Sequence, residues 1–291
     1  MKKIISMSLV ACMLISMTAA FAIEKGAARA VIGANITTEQ KTAVYKTFGI
    51  GEGSVTELTV TNNEERQYLD GLVDESVIGT KSISCVYIEV LGEGEGLDVS
   101  VSNINWCTKE MYLNALVTAG ISDAKLIVTS PVAGISGTAA LTGVYKAYED
   151  ITGKPLDEVA KLAGTQELVV TADLADQIGS YDAVTIVNEL KKVLGETVNM
   201  TDDEVKAEIK SIAAENNISI SDGQVDQLVS LCRSLEKLDP EELKARVESF
   251  QDTVKKLAGA QAKLEEFGES MQKFFESVGK FFSNLFSKIG Q

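Results

Sequence analysis

Histidine is the clearest absence in this chain, because none of its 291 residues is a histidine. Histidine is the commonest general base in enzymes and the commonest protein ligand of transition metals. Its absence excludes Ser-His-Asp and Cys-His catalysis and every zinc site with an imidazole ligand. Carboxylate pairs, Ser-Lys dyads and calcium sites stay open. Since no segment has a catalytic motif, we expect no catalytic residue, no cofactor and no metal, and a protein that is not an enzyme.

Basic residues are also scarce. The chain has 27 Lys and Arg against 42 Asp and Glu, a formal net charge of −15 at pH 7. Nucleic-acid binding needs basic patches that neutralise phosphates, so a nucleic-acid partner is excluded. Against an anionic envelope the chain is repelled unless a local basic or apolar element overrides the mean charge.

The first 22 residues predict export. Lys2 and Lys3 precede an apolar run over residues 4–21, and the run ends in Ala20-Phe21-Ala22. A basic start, an apolar middle and an A-x-A end are typical of a secretory signal peptide over residues 1–22. Two alternatives stay open: a lipid on Cys12, or an uncleaved anchor, since about 20 apolar residues can span a bilayer. In each of these three cases the protein is secreted or lies on the extracytoplasmic face of the cell envelope.

Hydrophobic residues make up 45% of the chain, enough for a packed core. Strand and helix patterns alternate over residues 23–150 and predict an α+β domain. Residues 151–238 predict a helical region packed on it, and residues 239–291 a long amphipathic helical tail. Thr37 with Gln40, Thr201 with Glu204 and Ser221 with Gln224 have the spacing of capping boxes. The fold class is therefore α+β, with a mixed strand and helix N-terminal part followed by a helical C-terminal part.

Local patterns also predict where several elements begin. Asn62 or Asn63 should cap the helix over residues 64–72, and Ser136 or Thr138 the helix that runs to about Asp150. Residues 156–163 and 171–178 are predicted as two separate helices.

Two alternating segments, residues 82–91 and 97–104, predict a β-hairpin. Residues directly opposite share a face, so Val90 should pair with Val99 and Ile88 with Val101. This register brings Cys85 near the segment that leads to Cys107. Export would make a disulfide chemically feasible, so Cys85 and Cys107 are a candidate disulfide, with buried free thiols as the alternative.

Two segments are candidate ion sites. Residues 134–138 lie between a strand and a helix, where backbone N–H groups can bind an anion, but they lack the Walker and dinucleotide-binding spacings. Glu93, Glu95 and Asp98 cluster at the predicted hairpin tip without an EF-hand pattern. A capped turn and a solvated acidic loop are the favoured interpretations.

The last fifty residues contain the strongest periodicity. From Leu243 to Ile289, apolar residues recur at alternating spacings of four and three, which predicts an amphipathic helix with a coiled-coil-like seam. Residues 271–289 widen this stripe and are locally basic. The candidate contact residues for a membrane surface or a partner helix are Phe274, Phe275, Phe281, Phe282 and Phe286. Docking on the body, or pairing with a second copy as a homo-oligomer, is the alternative.

Three segments resemble one known family. They are TVTNNEE at residues 59–65, MYLNALVTAG at residues 111–120 preceded by Trp106, and SGTAALTG at residues 136–143 followed by KAYE at residues 146–149. They resemble the YpuA-like proteins, a secreted family of Gram-positive bacteria that is classed as a domain of unknown function. The resemblance implies export and an envelope context, and it brings no catalytic residue.

Together these features predict a secreted, envelope-associated protein that works by non-enzymatic binding or structural association through its C-terminal helix. The alternative is a small extracytoplasmic hydrolase that uses a carboxylate or Ser-Lys site.

Overall fold

One mixed sheet of five strands organises the N-terminal half. The computed structural model describes residues 25–248. The strands are β1 (Ala28–Gly33), β2 (Thr56–Val60), β3 (Cys85–Val90), β4 (Leu97–Ser102) and β5 (Ala124–Thr129). Their order in the sheet is β2-β1-β3-β5-β4. The pairs β1–β2 and β4–β5 are parallel, whereas the central β3 is antiparallel to both of its neighbours. This sheet and the many helices confirm the α+β class.

The predicted hairpin is wrong, because β5 lies between β3 and β4. Val90 pairs with Ala124, and Val99 pairs with Leu126. Alternation correctly predicted the buried faces of both strands but not the neighbour of either. The run at the middle of β5 is apolar on both faces, which suits a strand of a sheet that is covered by helices on both faces.

Ten helices with both ends inside the described residues follow or separate the strands. They are α1 (Thr38–Phe48), α2 (Asn62–Leu69), α3 (Glu75–Ile78), α4 (Lys109–Ala119), α5 (Thr138–Thr152), α6 (Glu158–Ile178), α7 (Ser180–Lys192), α8 (Leu194–Thr197), α9 (Asp202–Glu215) and α10 (Asp222–Leu235). Helix α1 covers one face of the sheet, and α4 and α5 cover the other. Residues 240–248 are also helical.

Helix α6 joins the sheet region to the helical region. Its Leu168 and Ala172 belong to the core on the sheet, while Val170 and Leu174 belong to the core formed with α7, α9 and α10. The two helices predicted here are one continuous helix. Gly164 does not break it but allows close packing, since a Cβ at this position would lie 2.7 Å from the backbone oxygen of Ala115 in α4.

Helix caps confirm some of the local predictions and correct others. The boxes at Thr37, Thr201 and Ser221 all form. Thr61, rather than Asn62 or Asn63, caps α2, because its hydroxyl accepts from the backbone N–H of Glu64. Helix α5 begins after Gly137 with no side-chain cap, so the caps predicted at Ser136 and Thr138 are absent.

A buried ion pair links three helices at the junction of the two regions. Lys191 of α7 pairs with Glu167 of α6, and their side chains are 2% and 0% exposed. Thr118 of α4 donates a hydrogen bond of 2.5 Å to the same carboxylate. Within residues 25–248, no helix has the length and apolarity needed to cross a bilayer.

Candidate functional site

Buried polar residues gather at one edge of the sheet. The carboxyl ends of the four parallel strands meet there with the start of β3. The polar side chains buried at this edge are Glu65, Ser82, Ser84, Thr129, Ser130 and Thr138. In open α/β sheets, ligands bind outside the carboxyl ends of the strands. This edge of the sheet is therefore the candidate site.

A cavity of about 490 Å³ opens beside this edge. Its lining comes from residues 76–81 with Ile83, from residues 105–106 after β4, and from residues 134–136 after β5. These residues supply hydroxyl groups, one amide, the Trp106 indole and the Lys81 ammonium, together with aliphatic side chains. No carboxylate lines this cavity.

Backbone hydrogen bonds hold two of these segments together. The N–H of Asn105 donates to the carbonyl of Ile135 (3.0 Å), and the N–H of Cys107 donates to the carbonyl of Ser136 (3.0 Å). Asn103, at φ 60°, turns the chain out of β4, and its amide donates to the carbonyl of Ser130 (2.7 Å). This wall of the cavity is therefore a continuation of the sheet.

Helix α2 fixes the opposite wall. Arg66 donates to the carbonyl of Gly79 (2.9 Å) and to both carboxylate oxygens of Glu75 (2.9 and 2.6 Å). Asn62 also donates to the carbonyl of Gly79, at 3.4 Å. The segment after α3 is thereby fastened to α2 at a defined place.

Glu65 lies behind both walls and is 1% exposed. Its carboxylate accepts hydrogen bonds from the Thr138 hydroxyl and, at 3.3 Å, from the Asn62 amide. The Thr138 hydroxyl is in turn 3.2 Å from that of Ser136, which lines the cavity. Burial raises the pKa of Glu65 to about 7, although both donors oppose the shift. Because Thr138 opens α5, the Glu65 carboxyl group lies against the first residue of this helix, next to the candidate anion site at residues 134–138.

Gly137 and Tyr112 close the floor beneath this helix start. The Tyr112 hydroxyl donates to the carbonyl of Gly137 (2.5 Å). Gly137 has φ 97°, and a Cβ there would lie 2.6 Å from that hydroxyl oxygen, so only glycine fits. The neighbouring Cys107 is buried, which raises its pKa far above the usual range, so its thiol stays protonated and is a poor nucleophile.

The candidate disulfide is absent, since Cys85 and Cys107 are both buried free thiols. Cys85 packs with α1 on one side of the sheet, and Cys107 packs with α4 on the other. The prediction failed because it depended on the hairpin register. Burial also raises the pKa of Cys85, to about 11.

The other sequence candidates divide into two groups. At the acidic loop, Glu95 pairs with Lys25, and no group of acidic or thiol ligands able to hold a metal occurs within residues 25–248. The proposed signal peptide and Phe274, Phe275, Phe281, Phe282 and Phe286 lie outside the described residues. No sequence motif marks the cavity, and its one sequence signal is the sole tryptophan of the chain.

A family model and one bacterial protein are similar to most of this chain. The family model described as protein of unknown function (DUF1002) matches residues 32–257. The uncharacterized protein YpuA of Bacillus subtilis is 36% identical over 243 residues, which cover 82% of this chain and 83% of that protein. No solved structure matches the chain. Both similarities are to proteins of unknown function, and nothing in them favours the hydrolase alternative.

Proposed function

This chain belongs to the DUF1002 family of proteins of unknown function, and we propose that it is a non-enzymatic binding or structural protein of the cell envelope. The sequence of residues 1–22 supports export, as its basic start, apolar run and A-x-A end are those of a signal peptide. The protein would then act outside the cytoplasm.

One structural observation supports binding rather than catalysis. The cavity at the carboxyl edge has a lysine but no acid or thiol in its lining, so it lacks a paired acid and base. The Glu65 carboxyl and the Cys107 thiol near this edge are buried, and Asp176, which accepts a hydrogen bond from the Trp106 indole (3.1 Å), does not line the cavity.

Ser76 and Ser136 line the cavity with Lys81, but no hydrogen bond within residues 25–248 joins Lys81 to either hydroxyl. The buried Lys191 is paired with Glu167 rather than with a serine. These arrangements suit a site that holds a ligand without transforming it.

We assign the contact with a membrane surface or a partner helix to residues 271–289. The preceding segment is fixed on the body: Leu243 is 1% exposed, and Arg246 donates to the carbonyl of Thr118 at the end of α4 (3.2 Å). Five phenylalanines, each partly buried at about 1.5 kcal/mol, would supply roughly 7 kcal/mol. That is enough for weak, reversible attachment.

Vesicle binding tests this assignment. Phe275→Asp with Phe282→Asp should release the protein from vesicles of anionic phospholipid, because two charges would enter the apolar stripe. Ser277→Asp with Ser283→Asp adds the same two charges off the stripe and is the matched control. Thermal unfolding should be unchanged in both variants. If the Phe variant loses stability and the unsubstituted protein never binds vesicles, the tail belongs to the core and the assignment is wrong.

Fractionation tests the location separately. We expect the protein in the membrane, wall or medium fraction, with its mature N-terminus at Ile23. Recovery from the cytoplasm with Met1 intact would contradict the envelope role.

A further inference from the structure

We propose that the cavity beside Trp106 binds an acidic sugar, that is, a saccharide ring that bears a carboxylate. The proposal names a ligand class for the site described above. It rests on the proposed envelope role only for the source of such a sugar, which would be the cell wall. The chemistry of the cavity is argued independently of that role.

Size and position favour a small ligand. The cavity of about 490 Å³ lies within the range of roughly 300–1,000 Å³ that is typical of small-molecule pockets. It opens at the carboxyl edge of the parallel strands, where α/β sheets bind ligands. Its walls are fixed before any ligand arrives, by the backbone bonds between residues 105–107 and 135–136 and by the Arg66 contacts to Gly79. A fixed site loses little conformational entropy on binding.

The lining matches the two kinds of surface that a sugar presents. A sugar ring has apolar C–H faces and a rim of hydroxyl groups. Trp106 is half-buried and supplies a flat apolar surface, and its indole N–H donates to Asp176 (3.1 Å), which fixes the ring orientation. The hydroxyl and amide groups for the rim are those of Ser76, Thr80, Asn105 and Ser136.

The charge of the cavity lining favours a sugar that bears a carboxylate over a neutral sugar. Lys81 is the one charged residue among those that line the cavity, in a chain with 42 acidic residues. It is exposed, and no carboxylate within residues 25–248 forms an ion pair with it. A ligand carboxylate would therefore meet an unpaired ammonium group and no competing acid in the lining. Charge-assisted hydrogen bonds are about twice as strong as neutral ones, so this contact should distinguish acidic from neutral sugars.

Trp106 is the only tryptophan of the chain, so its fluorescence reports on this cavity alone. The full chain is titrated with N-acetylmuramic acid and, in parallel, with N-acetylglucosamine, which lacks the lactyl carboxylate. We expect a saturable change with a dissociation constant on the order of 1 mM for the acidic sugar. The neutral sugar should bind roughly tenfold more weakly.

Substitutions test whether Lys81 causes the difference in affinity between the acidic and the neutral sugar. Lys81→Met should abolish the preference for the acidic sugar and leave the weak binding of the neutral one. Lys154→Met is the matched control, since Lys154 is an exposed lysine after α5 that does not line the cavity. Trp106→Phe should weaken binding of both sugars in calorimetry, where no tryptophan signal is needed.

Three results would overturn the proposal. These are equal affinity for the two sugars, displacement of the acidic sugar by inorganic phosphate at similar concentration, and no response in fluorescence or calorimetry from protein with native circular dichroism. None of these results bears on where the protein is found, so failure here is distinguishable from failure of the envelope role in fractionation.

Discussion

The sheet region buries polar groups at one edge of its sheet, whereas the outer helices α9 and α10 of the helical region keep their charged groups at the surface. At the carboxyl edge of the sheet, Glu65 and Thr138 are buried together behind a cavity. In the helical region, the ion pairs Lys206–Asp226 and Lys210–Asp222 lie on the surface, and capping boxes satisfy the helix starts. Buried polar groups cost stability unless they are well paired. The carboxyl edge of the sheet therefore bears a cost that suits a binding site, whereas α9 and α10 follow the local rules of a stable scaffold.

The largest effect should come from the ion pair where these two regions meet. Lys191→Met leaves the Glu167 carboxylate buried without its cation, which should lower the free energy of unfolding by about 3–5 kcal/mol. The double variant Lys191→Met with Glu167→Leu should recover most of this loss, since apolar replacements of a buried pair are often neutral. Urea unfolding followed by circular dichroism measures both variants.

Lys210→Met is the surface control for this experiment. The Lys210 and Asp222 side chains are 55% and 90% exposed, so its loss should cost less than about 1 kcal/mol. Equal costs for Lys191→Met and Lys210→Met would erase the distinction between the junction and the helical surface.

A second test concerns the buried acid of the sheet region. The pKa of Glu65 is raised to about 7 in the folded state, so the folded chain holds this proton more tightly than the unfolded chain. Its contribution to stability is then greatest below about pH 4.5 and is lost as the pH rises to 7. Glu65→Gln mimics the protonated acid. Relative to this variant, the unsubstituted protein should lose up to about 3 kcal/mol between pH 4.5 and 7.5.

Urea unfolding of both proteins across this pH range measures the difference. If the free energies of unfolding of the two proteins change in parallel with pH, the Glu65 carboxyl group is solvated. The contrast between the two regions would then weaken. A relative loss with falling pH would mean that hydrogen bonds from Thr138 and Asn62 outweigh burial.

The smallest expected effect compares two glycines in helices. Gly164→Ala in α6 places a methyl group 2.7 Å from the Ala115 carbonyl oxygen, so the cost of overpacking should exceed the gain in helix propensity by about 1 kcal/mol. Gly223→Ala in α10 has open space, with the nearest atom 4.0 Å away, and should stabilise by up to about 1 kcal/mol. Thermal unfolding measures the shift in melting temperature of each variant. Two shifts of the same sign would contradict the close approach of α4 and α6.

Local chemistry made part of this fold predictable. The caps at Thr37, Thr201 and Ser221 were predictable, because each capping hydrogen bond joins residues only three positions apart. Alternation likewise predicted that Val86, Ile88 and Val90 share a buried face. The partner of β3 was not predictable in this way, because β5 enters the sheet more than thirty residues later and a four-residue acidic loop would equally permit a hairpin.

The candidate site was not predictable either, because it is built from segments that are distant in the sequence. Its walls come from residues 76–81, 105–106 and 134–136, which no single window of sequence contains. Glu65 looked like an ordinary first-turn glutamate of α2, a position that favours acids at a helix surface. Only the packing of α2 against α5 reveals that this carboxyl group is buried.

The insertion of β3 between β1 and β5 also bears on the order of folding. Tyr87 must meet both Ala30 and Ile127, so the centre of the sheet closes only after segments distant in the chain come together. Such non-local pairings slow folding, whereas α9 and α10 are neighbours in sequence and pack on each other early at little loop-closure cost. We expect refolding in which circular dichroism recovers before the fluorescence of Trp106. The helices would then form first, and the insertion of β3 into the centre of the sheet would be the last and slowest step of folding.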